Sequence, residues 1–142
     1  MNSPLEMNPE IRARWTAALR SGDYQQGQTT LRQKAEIDGF PSDQQQEWCC
    51  LGVLCDLAEK AGVVSGTYSE DHNWWHYDGA CDYLPQSVQQ WAGLGTNSPE
   101  VGVCWSEPVT ELATLAELND GDGWTFAQIA DAIDGVETAV SA

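Results

Sequence analysis

An α+β fold, arranged as a single compact domain rich in helix with a small antiparallel sheet or hairpin, is what these 142 residues predict, and three observations predict it. The length suits one core, because chains usually divide only beyond roughly 250 residues. Capped apolar stripes at helical spacing cover residues 8–20 and 46–61. Between Val63 and Leu84 that period gives way to β-branched and aromatic residues. Residues 1–142 are read as one domain, with 1–7 and 136–142 as frayed tails.

The first helix is expected from Asn8 to Arg20. Asn8 suits the N-cap, Pro9 the first helical position and Glu10 the positive end of the dipole, while Ile11, Trp15, Ala18 and Leu19 form the apolar stripe. Ser21-Gly22 ends it. Gly27 to Gln33 reads as a short extended segment or a turn, and Asp38-Gly39-Phe40-Pro41 punctuates the chain before a Gln-rich approach to Trp48. The second helix, Gln46 to Ala61, is the best-defined apolar element and is placed at the centre of the fold. Gly62 suits its C-terminal stop. Gly52 inside it costs about 1 kcal/mol against Ala, which points to close packing against another backbone.

Val63, Val64, Thr67, Tyr68, Trp74, Trp75 and Tyr77 favour extended structure, and Asp78-Gly79 is a turn signal expected to close a hairpin onto Ala80 to Leu84. Pro85 opens a short helix to Trp91 that Gly93 stops. Val101 to Trp105 reads as a strand, and Glu107-Pro108 is expected to start a helix through Leu112, Leu115, Ala116 and Leu118. Asn119 to Gly123 stops that helix, and Thr125 with Gln128 reads as the capping box of a last one through Ile129, Ala130 and Ile133. No internal repeat is found.

Composition excludes several function classes. Hydrophobic residues make up 42%, yet no apolar run approaches the roughly 18 residues of a membrane span. No basic, apolar leader precedes Glu10, and five cysteines form an odd set, so a reducing cytoplasm with free thiols is expected. Six Lys and Arg against 22 Asp and Glu give a formal charge of −16, and no Lys or Arg lies after Lys60. Direct nucleic-acid binding, which draws its affinity from clustered bases on phosphates, is therefore not expected, nor is an anionic membrane surface. Among protein partners, electrostatics favours a basic one.

Four constellations bear on chemistry. Cys50 stands near the start of an apolar helix, where the dipole lowers a thiol pKa, and His72 and His76 follow in a strand region, as in a cysteine hydrolase. The favoured reading is nevertheless a buried structural thiol, for Cys49 and Cys55 as well. Zinc ligation by His72, His76, Cys81 and either Cys49 or Cys104 has a feasible spacing but lacks a C-x2-C knuckle, and no metal is expected. The run from Leu118 to Phe126 invites a calcium reading, but the EF-hand register puts Leu118 and Ile129 on ligand positions, so a helix junction is preferred. Trp74, Trp75 and Tyr77 form the densest aromatic patch and the expected binding residues. Trp15, Trp48, Trp91 and Trp124 are assigned to the core, and one of Trp74 and Trp75 is expected to be exposed, because neighbouring strand residues point to opposite faces. No cofactor is expected.

The chain resembles a family of small tailed-phage and prophage accessory proteins. The resemblance is carried by Asn8-Pro9-Glu10-Ile11 with Trp15, by Ala18 to Gly22, by Tyr24, Gln26-Gly27 and Leu31-Arg32, and by the block Trp48 to Ala58. It continues through Leu84-Pro85, Trp91 to Leu94, Leu115 to Asp120, Gly123, Thr125-Phe126 and Ile129 to Asp131, leaving Ser65 to Cys81 without a fixed pattern. It implies a non-virion protein in the cytoplasm of an infected bacterium and brings no catalytic residues. The expected function is stoichiometric binding of a host or anti-phage-defence component. The alternatives are a hydrolase using Cys50 with His72 or His76, and an aromatic sponge for a nucleotide messenger, which needs Arg12, Arg14, Arg20, Arg32 and Lys34 to converge on one pocket.

Overall fold

Helix α1 (Pro9–Ser21) starts where the Asn8 side chain accepts the Glu10 and Ile11 N–H groups at 3.0 and 3.3 Å. The computed structural model describes residues 5–106 and 109–135, with backbone alone at 102–106 and 109–111. Residues 5–7, expected in a frayed tail, are instead tied down. Leu5 donates its N–H to the Ile133 carbonyl at 2.8 Å, and Leu5 and Met7 pack on the core.

Strands β1 (Arg32–Ile37) and β2 (Phe40–Trp48) form an antiparallel hairpin that the sequence reading did not anticipate. Its turn is Asp38-Gly39, both at positive φ, the conformation whose twist matches a tight hairpin. The Gln-rich approach is thus a strand, and the second helix starts later than expected, as α2 (Cys50–Lys60). The reason lies at Trp48, whose N–H donates to the Gln25 carbonyl at 2.9 Å while its carbonyl accepts from Gly27 at 2.8 Å. A backbone held on both sides in this way cannot enter a helix.

Cys50 to Cys55 are all buried, so α2 enters the core as a fully apolar turn. It ends as a Schellman motif, with Gly62 at φ +78°, Gly62 N–H on the Glu59 carbonyl and Val63 N–H on the Ala58 carbonyl. From α1, the buried Trp15 indole N–H donates to the Cys50 carbonyl at 2.9 Å. Leu54 is buried and Leu57 partly so, in keeping with a central helix.

Strands β3 (Gly66–Ser69) and β4 (Trp74–Tyr77) pair antiparallel, and β4 meets β1 at Gln33 opposite Trp74. The four-stranded sheet has the order β2-β1-β4-β3. Asp78-Gly79 does turn the chain, but only one bridge, Tyr77 to Ala80, follows, and Ala80 to Leu84 is not a strand. The Cys81 carbonyl is instead taken by the Leu31 N–H at 2.7 Å. Helix α3 (Gln86–Ala92) lies between Pro85 and Gly93 as expected.

A second antiparallel pair joins β5 (Glu100–Ser106) to β6 (Val109–Thr114). This corrects the helix expected from Glu107-Pro108, two residues outside the described ones. Leu112 is exposed and Ala113 buried, the alternation of a strand, and α4 (Leu115–Asp120) begins only after Thr114 caps the Glu117 N–H at 3.1 Å. Helix α5 (Phe126–Ile133) carries the predicted capping box of Thr125 and Gln128. Arg20 forks onto Asp131 and Asp134, both at 2.8 Å, and so ties α1 to α5. The fold is α+β in a single compact domain, but with six strands beside five helices among the described residues, helix is not a clear majority.

Candidate functional site

Strand β4 is paired on both edges, so its side chains divide between two faces. Trp75 packs on the core, 4.7 Å from the Tyr68 ring, and Tyr77 is fully buried. Tyr77 is therefore no surface anchor, contrary to expectation. Burial pushes its pKa up to about 12, with the nearby Arg32 guanidinium acting in the opposite direction. On the other face Trp74 stacks on exposed His72, centroids 4.7 Å apart and planes at 15°. Both indoles are half-buried, so neither is the exposed member that strand alternation predicts. Trp74 and His72 border a hollow of about 460 Å³ with Gln33, Glu36 and Glu47.

A second cleft, of about 570 Å³, runs between α1, α2 and the first hairpin. The Tyr24 hydroxyl donates to Asp56, and Lys60 Nζ lies 3.2 Å from both. Burial, then the Asp56 carboxylate, raises the Tyr24 pKa, so the phenol stays protonated at neutral pH. The Tyr24 ring meets Trp48 edge-on at 5.1 Å. The Arg32 guanidinium sits 4.1 Å from the Trp75 ring centroid and 5.5 Å from that of Trp48, while its Nε donates to Gln46 at 2.7 Å. In this cleft Asp56, Lys60 and Arg32 each have a neighbour of opposite sign or an aromatic face. It is a seam that holds elements together rather than an acid–base pair.

The candidate nucleophile is out of reach. Cys50 has no exposed surface, and its sulfur faces the Leu115 carbonyl at 3.6 Å instead of an imidazole. Burial pushes its pKa well above the ordinary thiol value, with Cys49 and Asp120 adding to the shift, so desolvation overrides the helix dipole. Cys49 and Cys55 are buried as well, with raised pKa values. His76 is half-buried on β4 and Cys81 half-buried beyond it. Among the described residues, no three His, Cys, Asp or Glu side chains are grouped to hold a metal. The Cys104 side chain lies outside those residues.

The Asn-Asp pair that closes α4 has a structural task. Buried Asn119 accepts from the Cys50 N–H at 3.3 Å and the Gln26 amide at 2.9 Å, and donates to the Gly27 carbonyl at 2.9 Å and to Asp120 at 2.8 Å. Asp120 in turn accepts the Thr29 N–H at 2.7 Å. Gln26 completes the knot by donating to the Trp124 carbonyl and accepting from the Phe126 N–H. The residues that suggested a calcium loop thus bind the chain to itself.

The basic residues do not converge. Arg12 and Arg20 serve Asp131 and Asp134, Arg32 neighbours Glu59 at 3.8 Å, and Lys34 pairs with Asp43. What the sequence reading missed is the tip of the first hairpin. Ile37 and Phe40 are cross-strand partners, 44% and 74% exposed. The signal was present, since Asp-Gly between two apolar residues marks a hairpin and not mere punctuation.

A family model described as a domain of unknown function, DUF8296, matches residues 7–137. No curated protein and no solved structure matches the chain.

Proposed function

Because the chain belongs to the DUF8296 family, whose description carries no activity, we propose its working mode from its own residues: it is a stoichiometric binder. We place it among phage accessory proteins, in the cytoplasm of an infected bacterium, where it holds a host or anti-phage-defence component, preferably a basic one. One observation carries the preference for binding over catalysis. The two thiols at the head of the apolar helix, Cys49 and Cys50, are both buried with raised pKa values, whereas a binder needs only a surface. That surface combines a charge of −16 with half-buried Trp74 and exposed Phe40. Acids of this density speed encounter with a basic partner, and aromatic groups anchor it. The dispersed ion pairs of Arg12, Arg20, Arg32 and Lys34 weigh against an anionic messenger. No described helix is long and apolar enough to cross a membrane.

The test is affinity capture from infected cells, read by mass spectrometry for proteins and small molecules, followed by titration of the captured component against purified chain. A complex of fixed ratio without product formation is expected. Rapid alkylation of Cys50 that abolishes the cellular effect while the fold survives would replace the binder by the hydrolase.

A further inference from the structure

We propose that the β1–β2 hairpin tip is the docking element of this chain, and that it inserts into an apolar pocket set within a basic surface of another protein. This rests on the binder reading. Ile37 and Phe40 face solvent side by side across the Asp38-Gly39 turn, and Phe40 is the most exposed of the large apolar side chains described. Scattered exposed residues such as Tyr83 and Leu112 need no explanation, but a cross-strand pair at one tight turn does. The turn has both residues at positive φ and Pro41 follows at once, so the pair is presented on a stiff support that loses little freedom on docking.

Charge selects the occupant. Glu36 precedes the pair and Asp38 lies in the turn between its members; both are exposed and enter no ion pair among the described residues, while the nearby Lys34 is already engaged by Asp43 and the Tyr68 ring. A second copy of the chain would bring another charge of −16 against the first, which disfavours a dimer. Strand addition along β2 is disfavoured as well. The register breaks between Lys34 and Glu36, and the Ser42 hydroxyl accepts the Gln44 and Gln45 N–H groups at 3.2 Å, so the edge is bulged and partly satisfied. The tip, not the edge, is left to make contact, with a rim of carboxylates that only a basic partner complements.

The test uses the full chain in 0.15 M salt with three synthetic 15-residue probes built from Lys and Leu, Lys and Ser, or Glu and Leu. Only the Lys-Leu peptide is expected to bind, and Phe40→Ala should weaken it about tenfold with an unchanged circular dichroism spectrum. Glu36→Gln and Asp38→Asn should slow association and flatten its salt dependence. Equal binding of the two Lys peptides, indifference to Phe40→Ala, binding of the Glu-Leu peptide, no binding at all, or a dimer abolished by Phe40→Ala would each overturn the proposal. Its failure is distinct from that of the binder reading. A captured complex that ignores Phe40→Ala removes the tip and keeps the binder, whereas absence of any fixed-ratio complex removes the binder.

Discussion

The Leu31 carbonyl oxygen lies 1.6 Å from the point where a β-carbon on Gly52 would stand, so α2 meets the segment leading into β1 backbone to backbone. The segment is itself anchored, because the Leu31 N–H donates to the Cys81 carbonyl at 2.7 Å. Alanine at Gly52 would gain about 1 kcal/mol of helix propensity, yet overpacking should dominate. Gly52→Ala is expected to lose about 3 kcal/mol in urea melts. A stabilised variant would mean that the two backbones do not meet.

Removing the centre of the polar knot should be as costly. Asn119→Ala leaves the Cys50 N–H and the Gly27 carbonyl without their buried partner. The expected loss is about 3 kcal/mol, the scale of such unsatisfied groups. Asn119→Asp keeps the shape but sets a carboxylate against Asp120 where an amide now donates, so it should not rescue. Full stability of the Asp variant at neutral pH would refute the assigned amide orientation.

The buried thiols predict an alkaline weakness. Cys49 is pushed up to about 12, and Cys50 and Cys55 are raised well above the ordinary value, all chiefly by burial. An unfolded thiol releases its proton near pH 8.5, so between there and about pH 12 the native state binds more protons and stability falls as pH rises. Denaturant midpoints measured from pH 8 to 10.5 should decline steadily. A flat profile would place these thiols in contact with water. In the same conditions alkylating reagent should label half-buried Cys81 well before Cys50.

Arg32 should not tolerate lysine. Its planar guanidinium lies over Trp75 at 4.1 Å and donates to Gln46 at 2.7 Å, a geometry that an ammonium does not reproduce. Arg32→Lys is expected to cost about 1 kcal/mol and to change tryptophan fluorescence. An unaltered melt with unaltered emission would show that the stack contributes nothing.

How far the fold was legible depends on where each hydrogen bond closes. Helix α1, the end of α2, α3 and the capping box of α5 were readable because their caps act within three or four residues: Asn8 on Ile11, Gly62 on Glu59, Thr125 on Gln128. Strand β2 was not. Its residues are mostly polar and exposed, so it has no alternation to read, and its partners stand on β1. Strand β6 was mistaken for the start of a helix because Leu112, Leu115 and Leu118 share helical spacing while the pairing with β5 is invisible in that segment alone.

The candidate site divides in the same way. Residue types and spacing sufficed for the charge of −16, the core thiols and the close approach at Gly52, since each follows from solvation or from the space one residue needs. Only the tertiary structure sent Tyr77 inward, kept both Trp74 and Trp75 half-buried, and left Phe40 in water. The physical reason is that a strand carries side chains on both faces at equal local cost, and which face becomes core is decided by helices and strands distant in sequence.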